Sequence, residues 1–327
     1  MKRAREAATR RPSEVASAAA SLLAVKAQFP NCCSTLDAAT ASAFEEIFAQ
    51  VKGRGKRILE VGSGHGFTCT FFGLLGAGEV HGLDVLPSAI QVAEAVKRRV
   101  DPNLPVIFRL ADAAKGLPYE EAAFDVVLLI ETLSHVVTAD LGALLREIVR
   151  VLRRGGVLYL SDGNNARSWR RRRQNYRIWE RFDQGPPTRG EETVYSHRID
   201  TPYVALRQQI ALRAIPSLSK TEAQRIAERA FRFTEAEVGE AARRYAASGE
   251  LPTSPFRRGV CPIDPVQGMY IEQLIDPVEV RRNLSGAGCD EIYCGPRRRL
   301  PLHPLWSSLP WLSFLVTNGF KIISRRR

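Results

Sequence analysis

The sequence lacks the long apolar run that a membrane-spanning helix requires. Such a helix needs about 20 predominantly apolar residues to cross a bilayer. The nearest candidate, residues 300–320, is interrupted by three prolines and an asparagine, at Pro301, Pro304, Pro310 and Asn318. We therefore predict a protein without a membrane span and with a cytoplasmic location.

The sequence also lacks cysteines at metal-binding spacing. No two of them form a Cys-x-x-Cys pair, and none has a histidine at zinc-ligand spacing. The six cysteines are Cys32, Cys33, Cys69, Cys261, Cys289 and Cys294. We interpret them as reduced intracellular thiols and predict no metal site. The chain has no internal repeat and no low-complexity segment either.

Acidic residues are fewer than basic ones: the sequence has 35 aspartates and glutamates and 47 lysines and arginines, for a net charge of +12. Such a balance is compatible with nucleic acid, an anionic membrane surface or an acidic substrate as a partner. Arginine, however, is much commoner than lysine along the whole chain. This general bias favours solvated basic faces over a dedicated binding patch.

What the sequence does contain is a glycine-rich turn after a short apolar segment, Ile-Leu-Glu-Val-Gly-Ser-Gly-His-Gly over residues 58–66. The apolar part predicts a buried strand, and a helix can begin at Phe67. Glycines let backbone N–H groups approach a ligand closely. The carboxylate of Glu60 at the end of an apolar strand is costly to bury unless something binds it. A tight strand-to-helix turn without a ligand is the alternative interpretation.

Two further acids follow predicted strands at informative positions. Asp84 closes the second strand, residues 79–83, and stands 18 residues beyond Gly66. An acid at about this distance is placed to accept the ribose hydroxyls of a nucleotide. The alternative for Asp84 is a helix N-cap. Asp112 follows the third strand, residues 106–110, and its alternative is a loop aspartate bonded to its own backbone.

The fourth strand, residues 124–130, is continuously apolar, which is typical of a central parallel strand buried on both faces. Residues 131–135 follow at its carboxyl end, where ligands bind in open α/β sheets. A helix over residues 141–152, a turn at residues 153–156 and a fifth strand at residues 157–161 complete this unit.

The acid-x-Gly-x-Gly-x-Gly turn from Glu60 to Gly66, the acids Asp84 and Asp112, and the Leu-x-x-Gly-Gly stretch before the fifth strand resemble the class I S-adenosylmethionine-dependent methyltransferases. The resemblance covers residues 56–162 and the C-terminal portion, about half of the chain. It implies an α/β fold, a Rossmann-like seven-stranded mostly parallel sheet with an antiparallel last strand, completed by strands at residues 290–294 and 320–324.

The resemblance also implies S-adenosylmethionine as the cofactor and direct displacement of its methyl group by a nucleophile. Asp112 would then receive the adenine amino group. The residues expected to bind the cofactor are Glu60, Gly62, Ser63, Gly64, Gly66, Asp84, Asp112, Ala113 and Ile130.

The domain prediction has four parts: an N-terminal tail and helix over residues 1–52, the cofactor-binding core over 53–162, a mostly helical substrate cap over 163–273, and the last two strands over 274–327. The tail is basic and rich in alanine and serine, so a weak targeting peptide is the alternative to a frayed end leading into a helix.

The first cap helix, residues 168–181, is rich in arginine. Trp169, Tyr176 and Trp179 are predicted to share one of its faces, and the arginines to occupy the other. Three interpretations of the arginines are open: a solvated face, a site for an anionic substrate, or peripheral contact with an acidic membrane that carries a lipid-linked substrate.

Candidate catalytic residues are His135 and Glu131, just past the central strand. A packed histidine and a first-turn carboxylate favoured by the helix dipole are the alternatives. Asp162, Asn164 and Asn165 follow the fifth strand and are predicted to contact the substrate. A metal site there is disfavoured, because the catechol-type pattern needs a matching acid after strand four. Tyr195 and His197 could also reach the substrate.

Methyltransferases that act on adenine or glutamine amino groups carry Asn/Asp-Pro-Pro-Tyr after strand four, whereas this chain has Ile-Glu-Thr-Leu at residues 130–133. We therefore predict an oxygen or carbon acceptor, less favourably a nitrogen, on a small-molecule, glycan or lipid-like substrate, and no nucleic acid. Two alternatives are a non-catalytic S-adenosylmethionine-binding scaffold and an NAD-dependent oxidoreductase. The latter has Gly-x-Gly-x-x-Gly, and here the third glycine comes one residue early.

Overall fold

A seven-stranded sheet organises the chain in a computed structural model, which describes residues 12–29, 37–185, 201–297 and 310–327. The strand order is β3-β2-β1-β4-β5-β7-β6. Only β7 runs antiparallel to its neighbours, β5 and β6. The strands are β1 Arg57–Val61, β2 Glu79–Asp84, β3 Val106–Leu110, β4 Phe124–Ile130, β5 Leu152–Asp162, β6 Cys289–Pro296 and β7 Phe320–Arg326. This order confirms the predicted Rossmann-like fold.

Helices precede, connect and cover these strands. They are α1 Pro12–Lys26, α2 Ala38–Gln50, α3 Phe67–Leu74, α4 Pro87–Val100, α5 Leu141–Val151, α6 Trp169–Gln184, α7 Tyr203–Ala214, α8 Lys220–Arg229, α9 Glu235–Ser248, α10 Pro277–Gly286 and α11 Pro310–Val316. None of the helices in the described ranges is long and apolar enough to cross a membrane.

The sheet is buried on both faces, as the apolar sequences of β1 and β4 require. On one face Leu145 of α5 and Leu284 of α10 pack against Leu59 and Val127. On the other, helices α1 to α4 contribute a second cluster that includes Phe71. The N-terminal helix α1 belongs to this second cluster through Leu22 and Val25.

Strand β5 begins earlier than the sequence pattern predicts. The predicted turn at residues 153–156 lies inside the strand, because Leu152 already pairs with Phe124 of β4 and the register then shifts to Val157 and Val126. Gly155, with φ of +73°, absorbs this irregularity. The glycines therefore mark a bulge within the strand.

Between β5 and α10 the chain leaves the sheet. We call residues 163–185 and 201–273, the described part of the predicted cap, the cap segment. Its helices form small cores of their own: Trp179 and Phe182 of α6 pack with Tyr203, and Ile210, Ile226 and Val238 join α7, α8 and α9. Its domain boundaries remain a prediction.

Helix α6 departs from its predicted faces at two positions. Trp179 is buried, as expected, but Trp169 is 55% exposed. Arg171, expected on the solvated side, is buried, because its guanidinium donates a hydrogen bond to Oε2 of the fully buried Glu272 at 2.5 Å. The remaining arginines between Arg170 and Arg177 are exposed.

Candidate functional site

The glycine-rich turn after β1 is tied to the end of β2. The N–H groups of Gly62 and Ser63 both donate to the carbonyl of Leu83, at 2.8 and 2.9 Å. The N–H of Gly64 donates to Oδ2 of Asp84, at 2.8 Å. Asp84 therefore helps to fix the shape of the glycine-rich turn. Both the turn and Asp84 are predicted to bind the same ligand.

The three glycines of this turn have positive φ, but they face different surroundings. A Cβ at Gly62 would lie 2.6 Å from Thr132, and one at Gly66 would lie 2.5 Å from the ring of Phe108. A Cβ at Gly64 would meet nothing within 4 Å. Gly62 and Gly66 thus permit close packing within the protein, whereas Gly64 borders open space.

That open space is a cavity of about 320 Å³ at the carboxyl ends of β1, β2 and β4. The position is the switch point of the sheet, where the chain order turns to opposite sides of β1 and where ligands bind in open α/β folds. The predicted site residues that line it are Gly62, Gly64, Asp84, Asp112, Ala113, Glu131 and His135. The structure brings these residues together from four separate stretches of the core, one at the end of each of the strands β1 to β4.

The carboxylate of Asp84 has one hydrogen bond on each oxygen. Besides Gly64, it accepts the N–H of Leu86 at 3.0 Å. The N-cap of α4 is Leu86 itself, so the alternative of Asp84 as the N-cap is wrong. A carboxylate oxygen has two lone pairs, so both oxygens retain capacity to accept ribose hydroxyls.

Asp112 also lines the cavity, and it bonds to its own loop at the same time. Its Oδ1 accepts the N–H of Ala114 at 3.0 Å, and its Oδ2 lies 3.3 Å from Nζ of Lys115. The alternative interpretation of a loop aspartate therefore describes its local bonding. That bonding leaves the carboxylate at the cavity wall, next to Ala113.

Glu60 does not line the cavity. It is 3% exposed, its Oε2 accepts from Sγ of Cys69 at 2.9 Å, and burial raises its pKa to about 7. The hydrogen bond from Cys69 of α3 thus offsets part of the cost of burying this carboxylate. Three other predicted cofactor contacts, Ser63, Gly66 and Ile130, also lie outside the lining.

Glu131 reaches the cavity from a backbone with φ of +54°, an uncommon conformation for a residue other than glycine. Its Oε2 accepts the N–H of Gly163 at 2.9 Å, and its Oε1 forms an ion pair with Arg297. Burial and the nearby charge of Asp162 raise its pKa. Both of its oxygens are therefore already engaged within the protein.

His135 is held by the cap segment. Its Nδ1 lies 3.0 Å from the carbonyl of Tyr270, and the N–H of Tyr270 donates back to the carbonyl of His135 at 3.1 Å. A carbonyl only accepts, so Nδ1 carries the hydrogen and Nε2 carries the lone pair. Burial lowers the pKa of His135. A neutral imidazole with this tautomer can accept a proton at Nε2.

Asp162, Asn164 and Asn165 are fully buried and do not line the cavity, contrary to their predicted substrate role. Asp162 accepts the N–H groups of Ser134 and Asn164. The amide of Asn164 accepts from Arg171, and that of Asn165 donates to two carbonyls around α11. The chain turns beneath the cap immediately after β5, so these side chains fasten the cap to the sheet.

The far wall of the cavity comes from the cap segment, and sequence reasoning missed it. Its residues lie far apart along the chain, and no motif links them. They are Phe182, Tyr203, Asp264, Gln267, Gly268, Met269, Tyr270 and Ile271. Tyr195 and His197 fall outside the described residues. In the ranges that the structure describes, no group of three His, Cys, Asp or Glu residues could hold a metal ion.

The core of the chain is similar in sequence to known proteins. Residues 59–160 match the family described as "Methyltransferase domain". The chain is 32% identical over 130 residues to the 27-O-demethylrifamycin SV methyltransferase of Amycolatopsis mediterranei (strain S699), covering 39% of this chain and 47% of that protein. It is 37% identical over 119 residues to the phthiotriol/phenolphthiotriol dimycocerosates methyltransferase 1 of Mycobacterium ulcerans (strain Agy99), covering 35% and 41%.

The matched regions span about half the length of these curated relatives or less. A solved structure, an S-adenosylmethionine-dependent methyltransferase from Mesorhizobium loti, is similar over 88% of this chain and 98% of its own, at 17% identity and a TM-score of 0.45. The matched residues contain most of β1 and β5 and all of β2, β3 and β4, and the strand order is that of the predicted fold. Residues 59–160 are thus similar to a methyltransferase domain, set in the Rossmann-like fold predicted from the sequence.

Proposed function

We propose that the chain transfers a methyl group from S-adenosylmethionine to an oxygen or carbon acceptor on a small-molecule, glycan or lipid-like substrate. The observation that carries this proposal is that Gly64, Asp84, Asp112 and His135 line the same cavity. When bound, the cofactor supplies a methyl group activated by its positive sulfur. The protein contributes mainly proximity and orientation.

The turn at Gly64 and the two aspartates fit this cofactor. Open space beside the Cα of Gly64 allows a ligand to approach the backbone closely. Asp84 would accept the ribose hydroxyls and Asp112 the adenine amino group, with Ala113 beside the ring. Glu60, Ser63, Gly66 and Ile130 would act indirectly, by shaping the turn and strands from behind.

His135 is the base that we propose for a hydroxyl acceptor. The proton of the hydroxyl moves to Nε2 of His135 while the oxygen forms its new bond to the methyl carbon. The cofactor would supply the methyl group with its positive sulfur as the leaving group, and S-adenosylhomocysteine would be the second product. Glu131 would position Gly163 and Arg297 at the cavity edge, since both of its oxygens are bonded there.

The substrate class draws support from the names of the relatives, which refer to a rifamycin and to dimycocerosates. A cytoplasmic location and peripheral membrane contact through the exposed arginines of α6 remain proposals, and nucleic acid is not proposed as a partner. A non-catalytic protein that binds the cofactor is the second candidate. Turnover with an acceptor distinguishes the two.

The first test is calorimetric titration with S-adenosylmethionine and S-adenosylhomocysteine, with NAD as the control ligand. We expect micromolar binding of the sulfur compounds and no binding of NAD. Binding of NAD alone would overturn the cofactor assignment. Once binding is established, acceptors can be screened with a labelled methyl group.

A further inference from the structure

The lining of the cavity differs in composition from the chain as a whole, because its ionisable side chains are mainly acidic. The described residues that line it include four carboxylic acids, Asp84, Asp112, Glu131 and Asp264, and no lysine or arginine. The whole sequence, by contrast, has a net charge of +12. The general bias towards arginine is therefore not found among the described residues that line this cavity.

Of the four acids, only Asp264 belongs to the cap segment. Its loop is closed by a bond from its own N–H to the carbonyl of Met269 at 2.8 Å, and its Oδ1 accepts the N–H groups of Val266 and Gln267 at 2.8 and 3.0 Å. Burial, then the charge of Asp264 and a hydrogen bond to it, raises the pKa of Tyr203 well above its usual value. The carboxylate is thus held by its own loop at the cavity wall, which Tyr203 also lines.

The arginines around the cavity do not supply a free counter-charge to the lining. The guanidinium of Arg171 is hydrogen-bonded to Glu272. Arg297 is paired with Glu131, one of the four lining acids, as Lys115 is with Asp112. Arg232 stacks on the ring of Tyr270, 4.9 Å from its centroid, and its guanidinium also bonds to the phenol oxygen. Each of these cations is engaged with a residue of the protein, and none belongs to the lining.

Apart from Asp264 and the uncharged amide of Gln267, the cap wall is largely apolar, through Phe182, Met269, Ile271 and the rings of Tyr203 and Tyr270. An anionic group placed here would lose its hydration beside a fixed carboxylate, which is costly without a paired charge. A hydroxyl or N–H group would instead donate to a charged oxygen, which is a strong hydrogen bond.

We propose that this cap wall selects an uncharged, largely apolar methyl acceptor that donates a hydrogen bond to Asp264, and that it excludes carboxylated, sulfonated and phosphorylated molecules. The inference deepens the proposed function and rests on it. It also assigns to Asp264 a specificity role distinct from proton transfer by His135. Of the interpretations of the arginine-rich helix α6, the anionic-substrate site is the one that this proposal rejects.

The test uses two fluorescent probes with one skeleton. N-phenyl-1-naphthylamine is uncharged, and 8-anilino-1-naphthalenesulfonate carries the same rings with an added sulfonate. Both are titrated into protein saturated with S-adenosylhomocysteine, so that only the acceptor part of the cavity is open to them. Binding in the cavity is defined as the fluorescence lost in Met269→Trp, which fills the lining. Val266→Trp is the matched control, because Val266 lies in the same loop, 56% exposed and outside the lining.

We expect Met269→Trp to weaken binding of the uncharged probe at least tenfold, and Val266→Trp to leave it unchanged. Binding of the sulfonated probe should be equal in the two variants, since any of it would be to surface arginines. Asp264→Asn, which retains Oδ1 for the loop bonds, should strengthen cavity binding of the sulfonated probe by about fivefold.

The outcomes separate the two levels of the proposal. The proposed acceptor class is overturned if Met269→Trp lowers the fluorescence of the sulfonated probe as much as that of the uncharged probe, or lowers neither, while S-adenosylhomocysteine still binds. If calorimetry on the same samples shows no binding of S-adenosylhomocysteine, the proposed function itself fails, and the acceptor class with it.

Discussion

Among single residues, Gly64 offers the sharpest test of where the cofactor lies. Gly64→Ala places a methyl group in open space at the cavity wall, at a φ of +50° that costs about 1–2 kcal/mol. We expect a modest fall in thermal stability and at least a tenfold loss of S-adenosylhomocysteine affinity by calorimetry. Gly62→Ala, whose Cβ would lie 2.6 Å from Thr132, should lose more stability. Unchanged affinity in Gly64→Ala would remove the turn from the binding site.

Asp84 carries the ribose assignment. Asp84→Ala should weaken S-adenosylhomocysteine binding by about 1–3 kcal/mol, the usual loss for hydrogen bonds to a charged group. Part of that loss would come from the turn, because Gly64 and Leu86 lose their partner. Asp290→Ala, at an exposed position of β6, is the surface control and should bind as the wild type does. Equal affinities for the two variants in calorimetry would argue against the assignment.

His135 carries the proposal of proton transfer. His135→Gln should leave calorimetric affinity for S-adenosylhomocysteine unchanged and reduce turnover of a hydroxyl acceptor by about 10²–10⁴-fold. Because burial lowers the pKa of His135, the neutral form persists below pH 6.5, and the wild-type rate should rise with pH through a pKa below that value. If His135→Gln were as active as the wild type, His135 would not be the base, and its role would be limited to positioning the acceptor.

The sequence predicted the wall of the cavity that the core strands supply and not the wall that the cap segment supplies, for a physical reason. Gly64, Asp84 and Asp112 sit at fixed places after successive strands, and parallel strands bring their carboxyl ends to one edge. Asp162, Asn164 and Asn165 occupy an equivalent place after β5 but turn inward, because the cap begins there and buries them. No periodicity in the sequence reports that change of direction.

At the scale of elements, the cap depends on a fully buried ion pair between α6 and α7. Both oxygens of Asp183 accept from the guanidinium of Arg207, at 2.7 and 3.1 Å, and Nε of Arg207 donates to the carbonyl of Ala227. Neither side chain of the pair is exposed to solvent. A lone charge in this place would have no compensation.

Arg207→Met should therefore reduce the free energy of unfolding by about 3–5 kcal/mol, as measured by chemical denaturation. Adding Asp183→Leu should restore part of the loss, because the orphaned charge goes too. Arg213→Met on the same helix is the matched control: its pair with Glu235 is exposed on both sides, and we expect a change of no more than about 1 kcal/mol. A comparable loss in the two single variants would contradict the role of burial.

Strands β3 and β4 were readable from the sequence because each is a short, mainly apolar run bounded by turns. Their predicted bounds agree with the structure residue for residue. The cap was harder, because its helices bury small faces against one another and not against the sheet. Helix α7 illustrates this: its buried residues include Arg207, which no hydrophobic pattern would assign to a core.

For the whole molecule, buried carboxylates make stability depend on pH. Burial raises the pKa of Glu272 to about 8 from its usual 4.5. Above pH 4.5 the unfolded chain has released this proton while the folded protein still holds it. The stability linked to this group is therefore fully present below pH 4.5 and is lost as the pH rises towards 8.

Glu272→Gln, which cannot titrate, should lack this loss. Relative to the wild type, the variant should become progressively more stable between pH 5 and pH 8, as measured by denaturant unfolding at a series of pH values. Glu279→Gln, at an exposed position of α10, is the control and should follow the wild-type curve. A constant difference between Glu272→Gln and the wild type would show that Glu272 does not titrate in this range.

The placement of β7 between β5 and β6 has a consequence for how the chain is made. A nascent polypeptide emerges from the ribosome in chain order, so β1 to β5 can pair before β7 exists. Strand β6 is synthesised earlier than β7, yet among the described residues its only strand neighbour in the sheet is β7. Until residues 320–326 emerge, the growing chain exposes the unpaired edge of β5 and an orphan strand. Protection of those edges during translation is thus a requirement that the finished molecule no longer displays.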